Sequence, residues 1–268
     1  MRSYVRERQV YQADKFLDVD MFIYTDEQKN ADRSTCKKRE HYTRKSCEKQ
    51  NERRSRIYFG QLINCNFGAG DLHVTLTYND TMLPANIEEA ERNVRNYIKR
   101  LNYARDKADL PSCKWIIVTE HNEDESTCKP TRIHHHVIMD GALDRDNVEA
   151  LWSYGRGKNK KPIGFVNADR LQISEDGLCA IAEYLTKRRT HHKRWTSSHG
   201  LRKPKCRRQD GRISMRKLGR IARGEITPQD IARWYRGYEL VGNEYGFRAK
   251  YSDIGGWYVS LKLKRKAA

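Results

Sequence analysis

The sequence of 268 residues predicts an α+β fold with a central, mostly antiparallel sheet and flanking helices. Three observations predict it. Short stretches of alternating apolar and polar residues recur after residue 70, and this period of two is typical of half-buried strands. Stretches with a single apolar helical stripe separate them. A highly charged segment precedes them and a basic segment follows, so we expect a helical N-terminal arm and a basic C-terminal extension.

The chain is expected to have three consecutive parts. A charged helical arm is predicted over residues 1–57, because residues 33–57 mix opposite charges and lack Gly and Pro, as is typical of a solvated helix. The domain that carries the sheet is expected over 58–204, and a basic α/β extension over 205–268.

The first strand of the sheet is predicted in LHVTLTYND (72–80). Its apolar set is Leu72, Val74, Leu76 and Tyr78, and the polar set facing the other side is His73, Thr75, Thr77 and Asn79. A helix is expected next, because Asn86 can cap it with Glu89 three positions later. Its apolar stripe comprises Ile87, Ala90, Val94, Tyr97, Ile98 and Leu101.

The later elements follow from the same patterns. Strands are predicted in CKWIIVTE (113–120), TRIHHHVIM (131–139) and IGFVNADRLQIS (163–174), and helices in DNVEALW (146–152) and GLCAIAEYLTKRR (177–189). A loop dense in Lys and Arg is expected beyond residue 189. Thr227, Pro228 and Asp230 supply a cap, a first-turn proline and a carboxylate at N3, which predict a helix start. GGWYVSLKLKRK (255–266) is the last predicted strand.

The formal charge of +18 indicates a polyanionic partner, and nucleic acid is the first expectation. No apolar stretch reaches the ~18 residues of a membrane span, and the N-terminus lacks the apolar core of a signal peptide. We therefore expect a soluble, cytoplasmic protein without a membrane partner.

Three consecutive histidines stand in one of the predicted strands. His134 and His136 would face the same side, with Cα atoms roughly 6 to 7 Å apart, close enough to share one ion. His135 would face the other way and is expected to be a core residue. The alternative is that His134 and His136 only bond their neighbours or add positive charge for a phosphate.

A carboxylate is expected beside these histidines. Glu120 ends the preceding predicted strand, and an antiparallel pairing would bring it near them, although Glu123 or Glu125 could take its place. Two imidazoles and a carboxylate with open positions suit a divalent cation that must also accept a substrate oxygen. We expect Mg²⁺ or Mn²⁺.

A tyrosine on the predicted helix 177–189 is a candidate nucleophile. Tyr184 and Lys187 are three residues apart and thus neighbours, and helical angles put Tyr184 on the flank of the apolar stripe. A tyrosine oxygen can attack a phosphodiester if a metal polarises the phosphate and positive charge stabilises the phenolate. The alternative is that the ring of Tyr184 merely packs against the helix.

These motifs, in this order, resemble those of HUH endonucleases, the rolling-circle replication initiators, and in particular phage and plasmid replication-associated proteins. VTLTYND (74–80), RIHHHVIM (132–139) and AEYLTK (182–187) are similar to their three motifs, and the resemblance covers residues 58–204. It implies that His134, His136 and Glu120 are metal ligands, Tyr184 the nucleophile and Lys187 its basic companion.

The sequence departs from the family pattern at two positions. His135 stands where a hydrophobic residue is usual. Ala180 stands where relatives from isometric phages carry a second tyrosine, so a single-tyrosine cycle is implied. Water, a second subunit or another tyrosine could then serve the second strand transfer.

A DNA-binding surface is expected from residue 187 to 208, where every charged residue is basic. A basic segment with an interleaved aromatic suits single-stranded DNA, the cations for the backbone and the ring for base stacking. The candidates are Arg188, Arg189, Lys193, Arg194, Trp195, Arg202 and Lys203, with Thr75 and Thr77 positioning the strand near the metal. The alternative is a solvated loop.

The leading hypothesis is a metal-dependent nuclease that nicks and rejoins single-stranded DNA at an origin and starts rolling-circle replication in a bacterial host. A host helicase and polymerase would be its partners, because no helicase motif is present. The alternatives are a transposase of the same chemistry and a single-stranded nucleic-acid-binding protein without catalysis.

Overall fold

The computed structural model describes residues 2–34, 45–121, 132–155, 157–187 and 194–266. The predicted α+β class, with an antiparallel sheet flanked by helices, is confirmed. None of the helices within these ranges is long and apolar enough to cross a membrane.

The first half of the chain contains β1 (Ser3–Gln12), β2 (Phe16–Thr25), α1 (Asp26–Ser34), α2 (Lys45–Asn66), β3 (Leu72–Leu76), α3 (Ile87–Lys107), β4 (Trp115–Glu120) and β5 (His134–Met139). The second half contains α4 (Arg145–Ala150), β6 (Ser153–Tyr154), β7 (Lys161–Pro162), β8 (Val166–Arg170), α5 (Cys179–Thr186), β9 (Thr196–Ser197), β10 (Lys205–Asp210), α6 (Met215–Ala222), α7 (Pro228–Ala232), β11 (Tyr238–Leu240), β12 (Phe247–Ser252) and β13 (Gly256–Arg265).

Two compact units divide these elements. The terminal unit consists of Met1–Cys65, Ser174–Cys179 and Arg202–Ala268, and the central unit of Asn66–Ile173 and Ala180–Leu201. The predicted functional division at residues 57 and 204 stays a prediction, whereas contacts group the two ends of the chain together, because β1 pairs with β10 and β2 with β13.

The central unit is built on an antiparallel sheet with the strand order β8-β3-β5-β4-β9. One face of this sheet packs against α3, where Leu72, Val74 and Leu76 join the buried helical stripe in one hydrophobic core. Helix α3 begins where predicted: the Asn86 side chain accepts a hydrogen bond from the Glu89 N–H, and the Glu89 carboxylate accepts one from the Ala85 N–H. The opposite face is left for the polar residues of β3 and β5.

The terminal unit contains a sheet in the order β10-β1-β2-β13-β11, with β12 on β13. Helices α6 and α7 contribute to the core on one face. On the other face, the Gln61 amide of α2 donates to the Asp18 carboxylate at 2.7 Å. Helix α7 begins after Thr227, whose hydroxyl accepts from the Asp230 N–H, as predicted.

The helical N-terminal arm is wrong for residues 3–25, which form the hairpin of β1 and β2. The sequence signal was present, because Leu17, Val19 and Met21 alternate with polar residues and are buried. Ala13 and Asp14, both with positive φ, make the tight turn. Helix occupies the predicted segment only from Lys45, and residues 35–44 lie outside the described ranges.

The predicted loop after residue 189 also contains a strand. Residues 205–210 form β10, which pairs with β1 across about 200 residues of sequence. Its side chains are largely exposed, so they carry no apolar alternation that could have identified the strand.

Candidate active site

The polar face of the central sheet brings together side chains from three adjacent strands. In the register of β4 and β5, Glu120 lies opposite His134, and in that of β3 and β5, Thr75 lies opposite His136. The alternation of β5 places His134 and His136 on the same face, as predicted. Pairing across strands thus assembles a site from residues far apart in sequence.

Glu120, His134 and His136 form a cluster that could hold a metal ion, with one ligand atom from each lying within 4.8 Å of the others. The His134 Nε2 atom lies 3.5 Å from the Glu120 carboxylate, and the His136 Nε2 atom lies 4.0 Å from it. His136 is 3% exposed, and its Nε2 atom has no hydrogen-bond partner among the described residues. A buried imidazole nitrogen without a partner, aimed at a carboxylate, fits a divalent cation between them.

Hydrogen bonds behind the cluster orient both imidazoles. The His134 Nδ1 atom lies 2.9 Å from the Arg132 carbonyl oxygen, so Nδ1 must donate and the Nε2 lone pair faces Glu120. The His136 Nδ1 atom lies 3.1 Å from Nε2 of His73, with the two rings stacked. If His136 donates to His73, its Nε2 lone pair also faces Glu120.

His73 is the site residue that sequence reasoning missed. Alternation along β3 placed it on the polar face, but its approach to His136 depends on the register between β3 and β5, which local patterns do not reveal.

The histidines of this face are held neutral. Burial, followed by the neighbouring His73 and His134, lowers the pKa of His136 to about 4, and only Glu120 opposes this. Burial likewise lowers the pKa of His73. A neutral imidazole keeps the lone pair that a metal requires.

His135 lies on the opposite face, in the core, as predicted. Its ring nitrogens lie 2.8 Å from the Tyr78 hydroxyl and 2.8 Å from the Thr119 hydroxyl. Burial lowers its pKa to about 3. Its two hydroxyl partners explain how a polar ring occupies a position that is usually hydrophobic.

Tyr184 lies beside the cluster. Helix α5 buries Ala182 and Leu185 and leaves Tyr184 57% exposed, on the flank of the apolar stripe. The Tyr184 ring stands edge to face with the His136 ring, with centroids 5.7 Å apart. Lys187 follows the helix and is exposed, and its backbone N–H donates to the Tyr184 carbonyl. The nucleophile candidate and the metal candidates therefore share one face of the central unit.

The residues predicted to bind DNA fall into several places. The Thr75 hydroxyl lies 3.4 Å from His136 Nδ1, at the cluster itself, and the Thr77 hydroxyl donates to the Phe165 carbonyl and accepts from its N–H. Arg194 and Trp195 lie in the central unit, Arg202 and Lys203 in the terminal unit, and Arg188, Arg189 and Lys193 outside the described residues.

A comparison with protein families supports a role in replication. Residues 71–192 match the model of a family of replication-associated proteins of the ORF2 type. The matched stretch is less than half of the chain and contains Glu120, His134, His136, Tyr184 and Lys187. No curated protein and no solved structure matches the chain. This part of the chain is thus similar to replication-associated proteins, and the match is consistent with a rolling-circle replication initiator.

Proposed function

We propose that the chain is a rolling-circle replication initiator that nicks and rejoins single-stranded DNA at an origin through a 5′-phosphotyrosine. The observation that carries the proposal is the contact between the Tyr184 ring and His136, a member of the candidate metal cluster. An exposed phenol and a cation site on one face allow one phosphate to reach both. The match to replication-associated proteins supports the same conclusion.

The metal ligands in this proposal are Glu120, His134 and His136, which would hold Mg²⁺ or Mn²⁺. When bound, the ion polarises the scissile phosphate and neutralises its developing charge. Arg132 and His73 keep the two imidazoles oriented through their Nδ1 atoms, so that both Nε2 lone pairs face Glu120.

Tyr184 is the nucleophile. Its phenolic oxygen attacks the phosphorus, the bond from that oxygen to phosphorus forms, and the bond from phosphorus to the 3′ oxygen breaks. The phenolic proton leaves through solvent, and the departing 3′ oxygen becomes a hydroxyl that can prime a polymerase. Lys187, one turn beyond Tyr184, supplies positive charge beside the phenolate. The energy of the phosphodiester is kept in the phosphotyrosine, so no ATP is needed.

Rejoining is the reverse reaction. A 3′ hydroxyl attacks the phosphotyrosine, the phosphodiester re-forms and Tyr184 is released as the phenol. Ala180, one turn before Tyr184, is exposed in α5 and has no hydroxyl, so a single tyrosine of this helix serves both transfers.

The experiment that tests the proposal follows the covalent adduct. Labelled single-stranded DNA from the replicon is incubated with the protein and Mn²⁺ or Mg²⁺ and resolved on a denaturing gel. Tyr184→Phe should abolish the adduct and leave binding unchanged, whereas Tyr103→Phe, at an exposed tyrosine of α3, should retain it. Tight binding without an adduct under either metal would instead support a non-catalytic binding protein. A requirement for two paired ends would support a transposase.

A further inference from the structure

The terminal unit contains a pocket that the proposed reaction does not use. It has a volume of about 220 Å³, and strands β1, β2 and β10 and the segment 234–238 line it. Its lining includes three aromatic side chains, Tyr11, Trp234 and Tyr238. The Tyr11 and Tyr238 rings stand edge to face with centroids 6.4 Å apart.

Three arginines also line the pocket, but one of them is neutralised from within. Arg212 forms a two-pronged ion pair with Glu7, at 2.7 and 3.0 Å, and Glu7 is 1% exposed. The Tyr235 hydroxyl donates to the same carboxylate at 2.9 Å. The buried charge of Glu7 is therefore satisfied, and Arg212 has no charge left over for a ligand.

The other two arginines, Arg207 and Arg236, are exposed, and no carboxylate of the described residues pairs with either. Arg207 lies on β10 opposite Gln9 of β1, so it shares the face that forms the pocket floor. Two guanidinium groups without such a carboxylate, beside aromatic rings, provide the chemistry for a phosphate next to a flat ring.

An unused acceptor adds a third feature. The Oε1 atom of Gln209 is buried and has no hydrogen-bond partner among the described residues. Gln9 beside it is fully engaged, because its amide donates to Glu7 and its oxygen accepts from the Tyr11 hydroxyl. A lone buried acceptor in a lined pocket calls for a donor from a ligand, such as the amino group or ring N–H of a nucleobase.

We propose that this pocket binds one nucleotide of single-stranded DNA, away from the candidate active site. The base lies among the aromatic rings and donates to Gln209, and Arg207 and Arg236 hold a phosphate. The strand must be single, because a paired base cannot enter a concave pocket. That the ligand is DNA rests on the proposed function. The terminal unit would then anchor the strand while the central unit cuts it.

The test uses the whole chain without added metal, so that no cutting occurs. Fluorescence anisotropy with a labelled single-stranded oligonucleotide gives Kd across a salt series for Arg207→Gln/Arg236→Gln. The matched control is Arg216→Gln/Arg233→Gln, which removes the same charge from exposed positions that do not line the pocket. Loss of two phosphate contacts should reduce the salt slope by about 1.4 and weaken binding roughly 20-fold at ~0.1 M salt. The control should keep the wild-type slope.

A cross-linking measurement locates the base directly. Oligonucleotides carrying 5-iododeoxyuridine are irradiated on the wild-type protein, and the attached peptides are identified by mass spectrometry. Attachment to Tyr11, Trp234 or Tyr238 supports the pocket. Equal slopes for the two double variants, no attachment to these rings, or no binding of single-stranded DNA by the wild type would overturn it.

The two proposals fail separately. Adduct formation by Tyr184 with metal, but without cross-links in the pocket, would leave the nicking function in place and remove the anchoring site. Cross-links in the pocket without any Tyr184 adduct would support the anchoring site and contradict the nicking function.

Discussion

The hydrogen bond between His73 and His136 leads to a prediction about metal affinity. His73→Phe keeps an aromatic ring of similar size against His136 but removes the nitrogen that lies 3.1 Å from His136 Nδ1. Without that partner, the His136 imidazole loses its fixed tautomer and orientation. Removal of such an outer partner typically lowers metal affinity 10- to 100-fold, or about 1.4 to 2.7 kcal/mol.

The structure indicates which end of this range applies. The Thr75 hydroxyl lies 3.4 Å from the same nitrogen and can replace His73 in part. His73→Phe alone should therefore weaken the metal Kd about tenfold, and His73→Phe/Thr75→Val about 100-fold. His73→Gln keeps a side-chain oxygen that can accept from Nδ1 and should recover most of the affinity.

The assay is calorimetric titration of metal-free protein with Mn²⁺, with circular dichroism to show that each variant is folded. His199→Phe, at an exposed histidine of the same unit, is the matched control and should bind as the wild type does. An unchanged Kd in the double variant would refute the reasoning. An equal loss in His199→Phe would do the same, because the effect would then not depend on contact with His136.

Three further predictions concern other parts of the structure. Glu120→Gln, which removes the carboxylate of the cluster, should weaken Mn²⁺ binding by about 100-fold or more in the same titration, and an unchanged midpoint would exclude it as a ligand. Lys262→Met should lower the free energy of unfolding by about 3 kcal/mol in urea, because it strands the carboxylate of Asp18 that lies 3.3 Å from the Lys262 amine in the interior; a loss below ~1 kcal/mol would contradict this. Burial and Glu7 raise the pKa of Tyr235, so its contribution to stability is present below the ordinary value of about 10 and is lost above it, by about 1.4 kcal/mol at pH ~11. Tyr235→Phe should make the fall of Tm between pH ~9 and ~11 shallower, and an unaltered slope would count against it.

Local signals predicted the central unit well. Alternation identified β3 and β5, and the side chain of Asn86 marked the start of α3, because these features depend on neighbours within a few residues. The same alternation placed His134 and His136 on one face, and the order of the strands was enough to bring Glu120 beside them.

Non-local pairing set the limit of prediction. The role of His73 depends on the offset between β3 and β5, and neither strand encodes that offset alone. In the same way, β10 is identified by its pairing with β1 rather than by its own exposed side chains. The pocket around Gln209 is formed only when these two distant strands meet, so no stretch of sequence could have indicated it.

The most direct test of the account is the chemical identity of the adduct. Protein incubated with replicon single-stranded DNA and Mn²⁺ is digested with nuclease and protease, and the modified peptide is sequenced by tandem mass spectrometry. The account predicts one nucleotide joined through its 5′ phosphate to the phenolic oxygen of Tyr184, with a free 3′ hydroxyl on the released strand. Attachment to another residue, a 3′ linkage, or cleavage without any adduct would contradict it.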